Sequence, residues 1–214
     1  SLFHLTGFQR ADNTLAGLAI TVGVVRPTHR QISLFVFQRV ENQSGEIMSF
    51  EIISVIGLGY IGLPTAAAFA SRRQRVIGVD INVRAVETIN RGEIHIVEPE
   101  LGRVVKTAVE KGYLSARNTP VEADAFLIAV PTPFMEGHKP DMAYVRSAVE
   151  SIAPVLKKGA LVILESTSPV GTTETMAEWL AALRQELTFP QQVGEAADVN
   201  IAYFPERVLP GRIM

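Results

Sequence analysis

From residue 48 onwards, short apolar runs alternate with segments that have helical spacing. The apolar runs predict strands over residues 52–56, 75–80, 125–130, 160–165 and 200–204. The run at residues 125–130 is continuously apolar, which is typical of a strand covered by helices on both faces. The intervening segments predict a helix after the first strand and further helices over residues 82–90, 99–111, 142–156 and 172–186, with Asp141 as the cap of the fourth helix. This alternation predicts an α/β fold built on a doubly wound parallel sheet.

The first 47 residues follow no such pattern. They contain no lysine, and their strand-like pieces, such as residues 32–37, are short. Met48 stands just before the first predicted strand, so we interpret it as the natural start of the protein. We divide the chain into a weakly ordered or artefactual extension, residues 1–47, and a dinucleotide-binding domain, residues 48–214; the alternative for the extension is an extra β element. A polypeptide that starts at Met48 is expected to keep its thermal midpoint and its cofactor affinity.

The turn between the first strand and the first helix carries the most informative motif. Gly57, Gly59 and Gly62 have the spacing of a dinucleotide-binding loop, and Asp80 follows at the end of the second predicted strand. Gly57 permits the tight turn, Gly59 lets the backbone approach a pyrophosphate, and Gly62 lets the helix lie close against the sheet. The carboxylate of Asp80 is predicted to accept the hydroxyls of the adenosine ribose and to repel a 2′-phosphate. The motif predicts NAD as the cofactor in preference to NADP, with S-adenosylmethionine binding or an empty Rossmann-like fold as the alternatives.

Composition and charge narrow the function classes. The formal net charge is −2, from 20 basic and 22 acidic residues, which does not favour a nucleic-acid partner. The chain has no cysteine, which excludes disulfides and thiolate zinc sites, and we predict no metal site. The longest apolar run, residues 16–25, is about half of the ~20 residues that a membrane helix needs. We therefore expect a cytoplasmic protein that does not enter a membrane.

Ligands of open parallel sheets bind beyond the carboxyl ends of the strands, so the loops there are the next candidates. Three of these loops are rich in proline, which stiffens them: residues 131–133, 165–173 and 205–211. The hydroxyls of Thr132 and Thr173 are candidates for hydrogen bonds to the nicotinamide ribose or the phosphates. For Thr172 and Thr173, ordinary helix capping is an equally good interpretation.

Five motifs, taken together, resemble the nucleotide-sugar 6-dehydrogenases, the UDP-glucose and GDP-mannose dehydrogenase family. They lie at residues 57–64, 98–101, 130–133, 165–172 and 205–207. The resemblance runs without a gap from Met48 to Met214 and leaves residues 1–47 unmatched. It implies an NAD-dependent, two-step oxidation of a sugar C6 alcohol to a carboxylate for surface-polysaccharide assembly. Overall similarity favours UDP-N-acetyl-D-mannosamine as the sugar nucleotide over UDP-glucose, GDP-mannose or UDP-N-acetylglucosamine.

The resemblance also implies roles for individual residues. Those implied to contact NAD are Tyr60, Ile61, Asp80, Thr132 and Thr173. Arg207 and Val208 would contact the sugar nucleotide, and Glu206 would orient or deprotonate water near C6. A guanidinium suits a polar or anionic substrate group, although spacing alone favours a solvated loop for Glu206 and Arg207.

In this family a cysteine traps the intermediate aldehyde, and a lysine and most of the sugar contacts come from beyond the first domain. The chain is therefore expected to be the cofactor half of a homodimeric dehydrogenase, truncated before the central helix and second domain and inactive by itself. Two alternatives are a stand-alone NAD-binding module and a hydroxyacid dehydrogenase of the 6-phosphogluconate type. The loops at residues 131–133 and 205–207 argue against the second of these.

Overall fold

A six-stranded parallel sheet forms the centre of the protein. The structure is a computed structural model and describes residues 40–41, 47–48, 50–98, 100–135, 137 and 140–204. The strands of the sheet are β1 (Ile52–Ile56), β2 (Arg75–Val79), β3 (Leu114–Arg117), β4 (Ala125–Ile128), β5 (Leu161–Leu164) and β6 (Asn200–Tyr203). Their order across the sheet is β3-β2-β1-β4-β5-β6, and all neighbours are parallel. This is the strand order of the doubly wound dinucleotide-binding fold, which confirms the predicted fold class.

Helices cover both faces of the sheet. They are α1 (Gly62–Ser71), α2 (Val83–Asn90), α3 (Leu101–Glu110), α4 (Ala143–Ile152), α5 (Thr172–Leu183) and the single turn α6 (Pro190–Val193). Helices α1, α2 and α3 pack on the face that carries Val55, Leu127 and Ile163. Helices α4 and α5 pack on the opposite face, against Phe126 and Ile128. Because both faces are covered, the central strands β4 and β5 are apolar throughout and β1 is apolar except for Ser54, which is why they were recognisable in the sequence.

Some elements differ from the predicted ones, mostly at their ends. Strand β3 was not predicted, because it lies at the edge of the sheet and alternates buried with exposed residues over only four positions. The predicted helix over residues 142–156 is α4 followed by a 3₁₀ turn, Ala153–Val155. The N-cap of α4 is Met142, without a side-chain cap, so the predicted cap Asp141 lies one residue earlier; its Oδ1 still accepts the backbone N–H of Ala143, the first residue of the helix, at 2.9 Å. Helix α5 ends at Leu183, three residues earlier than predicted.

Most of the predicted extension lies outside the described residues, including the strand-like piece at residues 32–37. The described part is a two-residue antiparallel pair, in which Val40–Glu41 lies opposite Ile47–Met48. It forms a sheet of its own, separate from the six-stranded one. The division at residue 48 stays a prediction.

Within the described part of the chain, every helix is too short or too polar to cross a lipid bilayer.

The end of α1 offers a test of backbone strain. Arg73 has a φ of 68°, and the N–H groups of Arg73 and Gln74 donate to Ala70 and Phe69 in a Schellman turn. Glycine adopts this conformation without the steric cost that a Cβ brings. We expect Arg73→Gly to raise the free energy of unfolding by about 0.5–1 kcal/mol, measured by urea denaturation. Arg72→Gly is the matched control: φ is −97° there, so glycine brings only its entropic cost, and a gain in stability would contradict the explanation.

Candidate functional site: a dinucleotide cradle

Two glycines of the loop between β1 and α1 are required by close backbone contacts. Gly57 has a φ of 91°, and a Cβ built on it would lie 2.5 Å from the carbonyl oxygen of Ala129. A Cβ on Gly62 would lie 1.8 Å from the carbonyl oxygen of Gly57. Gly62 therefore lets the start of α1 close onto the loop, whereas the expected close contact was with the sheet. On the sheet side, the Cβ atom of Ala129, just after β4, would lie 3.2 Å away.

Gly59 has a different environment. A Cβ built there would meet no other atom within 4 Å. The loop therefore leaves open space above Gly59, as a cradle for a bulky ligand requires. Helix α1 starts beside this space, and its N-cap Ile61 has no side-chain cap and no acidic residue follows in the first turn. The N–H of Leu63 already donates to the carbonyl oxygen of Gly59 at 3.1 Å and Pro64 has no N–H, so the N–H of Gly62 is the one of this turn that can face an anion. The loop thus fits the pyrophosphate of a dinucleotide, because phosphates that bind to backbone N–H groups need open space beside the loop.

Asp80 is placed at the carboxyl end of β2 and fastens the loop. Its Oδ2 accepts the N–H of Leu58 at 2.8 Å, and its Oδ1 accepts the N–H of Asn82 at 2.8 Å. Each carboxylate oxygen has a second acceptor site, so the two ribose hydroxyls can still be bound. Sequence reasoning missed that Asp80 holds the glycine loop; its contact with the ribose stays a prediction.

Leu58 anchors the same loop from below. Its side chain is fully buried, and a Cβ on Gly78 would lie 2.7 Å from its Cδ2 atom. Gly78 in β2 therefore makes room for Leu58. Leu58 thus holds the loop in two ways: its side chain is buried, and its N–H donates to Asp80.

Two more of the predicted cofactor contacts, Tyr60 and Ile61, lie in the same loop. Tyr60 and Ile61 follow Gly59 directly, and the side chain of Tyr60 is 49% exposed. An aromatic ring with this exposure next to an open cradle is able to cover a bound ligand. The structure thus brings Gly57, Gly59, Tyr60, Ile61 and Gly62 together.

Thr132 joins two of the strand-end loops. Its hydroxyl donates to the carbonyl oxygen of Thr167 at 2.7 Å, which ties the loop after β4 to the loop after β5. The hydroxyl of Ser166 donates to Val130 at 2.7 Å and makes a second link between the same loops. The donor of Thr132 is therefore occupied, and its oxygen remains an acceptor for a ligand.

Thr173 lies in the first turn of α5. The helix starts at Gly171 without a side-chain cap, so the capping interpretation of Thr172 and Thr173 was wrong. Thr172 donates instead to Pro169, and the hydroxyl of Thr173 donates to Oε2 of Glu174 at 2.9 Å. Thr173 is half-buried at the same edge of the sheet as Thr132. The other predicted contacts, Glu206, Arg207 and Val208, lie outside the described residues.

Sequence reasoning missed a buried polar pair at this edge. Glu165, the first residue after β5, is only 3% exposed, and its Oε1 accepts the hydroxyl of Thr65 of α1 at 2.9 Å. The available signal was a glutamate at the end of an unbroken apolar strand, opposite a threonine that interrupts the alanine-rich face of α1. The pair connects the helix that follows the glycine loop with the carboxyl end of β5.

Comparison with known proteins agrees with this geometry. Residues 51–214 match the model of the NAD-binding domain of the UDP-glucose/GDP-mannose dehydrogenase family. The chain belongs to this family. The resemblance seen in the sequence is confirmed, and NAD is the cofactor of the matched domain.

Relatives within the UDP-glucose/GDP-mannose dehydrogenase family include enzymes for several sugars. The UDP-N-acetyl-D-mannosamine dehydrogenase of Escherichia coli strain K12 is 79% identical over 167 residues, which are 78% of this chain and 40% of that protein. The NDP-N-acetyl-D-galactosaminuronic acid dehydrogenase of Ralstonia nicotianae is 59% identical over the same shares. The solved UDP-D-ManNAc dehydrogenase of Pyrococcus horikoshii superposes with a TM-score of 0.68 at 43% identity and covers 76% of this chain and 38% of that one. The chain thus spans about two fifths of the length of these relatives.

The role of Asp80 in cofactor choice is open to a direct test. We expect Asp80→Ala to weaken NAD binding by ~1–3 kcal/mol, the scale of a charge-assisted hydrogen bond left unmade. Asp80→Asn is the matched control: its amide oxygen can still accept the N–H of Leu58, while the charge and the bond from the N–H of Asn82 are lost. It should keep the loop in place while discriminating less against NADP. Calorimetric titration with NAD and NADP checks both; a natural chain that prefers NADP would contradict the assignment.

Proposed function

We propose that this chain is the cofactor half of a nucleotide-sugar 6-dehydrogenase that oxidises the C6 alcohol of UDP-N-acetyl-D-mannosamine to the carboxylate in two successive steps. The choice of substrate is supported by the 79% identity with the E. coli UDP-N-acetyl-D-mannosamine dehydrogenase. The relative named for an N-acetyl-D-galactosaminuronic acid is less similar, at 59%. In this proposal the full-length protein works as a homodimer in the cytoplasm, in surface-polysaccharide synthesis.

In this proposal, different residues bind different parts of NAD. The backbone around Gly59 and the start of α1 bind the pyrophosphate, and Asp80 binds the adenosine ribose. Tyr60 and Ile61 line the loop, while Thr132 and Thr173 serve the nicotinamide half as acceptors at the carboxyl ends of the strands. NAD, when bound, supplies the acceptor for the hydride that leaves C6.

On the sugar side, Arg207 and Val208 contact the sugar nucleotide, and Glu206 orients water near C6. The proline-bounded loops after β4 and β5, which are cross-linked by Thr132 and Ser166, hold this edge in a fixed shape. Because these loops are already ordered, positioning the C6 alcohol next to the hydride acceptor costs no further conformational entropy of the loops.

The test is a chimera in which residues 48–214 replace the corresponding 167 residues of the E. coli relative. With UDP-N-acetyl-D-mannosamine and NAD we expect two NADH per sugar, followed by absorbance, and little turnover of UDP-glucose. Because most sugar contacts in this family come from beyond the first domain, the chimera tests whether the half-site of this chain accepts the sugar nucleotide. A folded chimera that binds NAD but does not oxidise UDP-N-acetyl-D-mannosamine would contradict the substrate. A folded chimera that binds no NAD would contradict the assignment of this chain as the cofactor half.

A further inference from the structure

The main chain of Asp80 is held from the side of β3. Asp80 is the first residue after β2, and its N–H donates at 3.1 Å to the carbonyl oxygen of Arg117, the last residue of β3. Its own carbonyl oxygen accepts a hydrogen bond from Nδ2 of Asn118 at 2.9 Å. Both backbone groups of Asp80 are therefore bonded to two consecutive residues at the carboxyl end of β3.

Asn118 stands where the backbone ladder between β2 and β3 stops. In a parallel pair the hydrogen bonds are evenly spaced, so after the bond to Arg117 the N–H of Thr119 would be the next donor to the carbonyl oxygen of Asp80. β3 ends at Arg117 instead. The side-chain amide of Asn118 supplies the donor that the ladder no longer provides.

This bond restricts the direction of the Asp80 carboxylate. The carbonyl oxygen of Asp80 lies in the plane of the peptide unit that leads to Ile81, so a bond to it limits rotation of that unit. The N–H of Asn82, one residue further on, donates to Oδ1 of Asp80, and Oδ1 of Asn82 accepts the N–H of Arg84 at 3.1 Å in the first turn of α2. Rotation of the peptide unit would displace the N–H of Asn82, and the carboxylate would lose one of its two fixed partners.

The end of β3 is itself held on its outer side. β3 is an edge strand of the sheet. The side chain of Asn90, the last residue of α2, accepts the N–H of Ala116 at 2.8 Å and donates to its carbonyl oxygen at 2.9 Å. Asn118 therefore follows a strand end that is fixed between α2 and β2, and such support is what a positioning side chain requires.

We propose that Asn118 is a positioning residue for NAD, which keeps the carboxylate of Asp80 in the orientation that binds the adenosine ribose. It acts only through Asp80. The inference rests on the proposed function, in which Asp80 accepts the ribose hydroxyls. Because this hydrogen bond is exposed, water competes for the same carbonyl oxygen, and the bond has the modest net strength that is typical of hydrogen bonds in proteins.

The experiment is a double-mutant cycle on the 214-residue chain, with the dissociation constant of NAD measured by calorimetry. Asn118→Leu removes the amide and keeps a side chain of similar size. We expect it to weaken NAD binding about fivefold in the natural chain. In the Asp80→Ala chain the same change should weaken binding by less than about twofold, because no carboxylate is left to position.

Gln74→Leu is the matched control. Nε2 of Gln74 donates to the carbonyl oxygens of Phe50 and Glu51 at 2.7 and 2.9 Å, just before the amino end of β2. The change removes an amide that binds the main chain at the opposite edge of the sheet, so it should lower the thermal midpoint and keep the natural NAD affinity. A fivefold loss of affinity in this variant as well would show that any loosening of β2 has the effect, and would overturn the role of Asn118.

The outcomes separate the two proposals. If the natural chain binds no NAD, or if Asp80→Ala binds it with natural affinity, the proposed function fails at the ribose site. If Asp80→Ala weakens binding but Asn118→Leu keeps the natural affinity, or weakens it by the same factor in both backgrounds, the role of Asn118 is overturned. Should Asn118→Leu fail to fold, Asn118→Ala takes its place in the cycle, with the same expected and contradicting results.

Discussion

The 214-residue chain, incubated with NAD and UDP-N-acetyl-D-mannosamine, is expected to bind NAD and to form no NADH. The family resemblance implies that a cysteine thiolate traps the aldehyde and later leaves as the acid is released. This chain contains no cysteine. With no thiolate to carry the intermediate, the second oxidation has no covalent route on this polypeptide. The first oxidation is not expected either, because the resemblance implies that the lysine and most of the sugar contacts come from beyond the first domain.

The measurement combines calorimetry for NAD with the absorbance of NADH. The full-length E. coli relative, tested under the same conditions, provides the positive control. Binding of NAD without absorbance change is the expected pair of results. Sustained formation of two NADH per sugar would contradict the prediction, and formation of one NADH per sugar would show that the first step proceeds without the thiolate.

Gly62→Ala is expected to lower the free energy of unfolding strongly, whereas Gly59→Ala is expected to weaken NAD binding and leave stability unchanged. At Gly62 the new methyl group would lie 1.8 Å from a backbone oxygen, a contact that only movement of α1 or the loop can relieve. We expect a loss of about 3 kcal/mol in the free energy of unfolding. At Gly59 the methyl meets nothing within 4 Å, so the free protein should unfold at its natural temperature.

Cofactor binding distinguishes the two variants further. In Gly59→Ala the methyl group occupies the space assigned to the pyrophosphate, so NAD should bind at least about tenfold more weakly, a loss of ~1.4 kcal/mol. Thermal denaturation with and without NAD measures both effects in one series, because a ligand that binds only the folded state raises the midpoint. A Gly59→Ala protein with natural NAD affinity would show that the pyrophosphate lies elsewhere.

Patterns that are local in the chain predicted most of the fold. Buried strands in this sheet are mostly apolar, so β1, β2, β4 and β5 were recognisable from residue type, although β1 contains Ser54 and β2 begins with Arg75. Strand β3 was missed because it alternates apolar and polar residues over only four positions, and many loops show a pattern as short as this. The glycine loop was predicted because its requirements are steric and concern residues close in sequence, Gly57 and Gly62 above all.

The candidate site could be predicted only as a set of positions at strand ends. That Thr132 donates to Thr167 depends on β4 and β5 being neighbours, which strand order decides. The capping interpretation of Thr172 and Thr173 failed for a related reason. Their hydroxyls had several acceptors within reach, and the turn at Gly171 directs them to Pro169 and Glu174.

By itself, the sequence determined the fold class, the dinucleotide loop and the family, because each depends on residue types at short, ordered spacings. The tertiary structure alone decided that Asp80 holds Leu58 and that Glu165 meets Thr65, 100 residues away. Such pairs form where strands distant in the chain end side by side, and periodicity carries no information about them. Burial of the Glu165 carboxylate is likewise a property of the packed sheet and helix, since no single segment of the chain can exclude water from it.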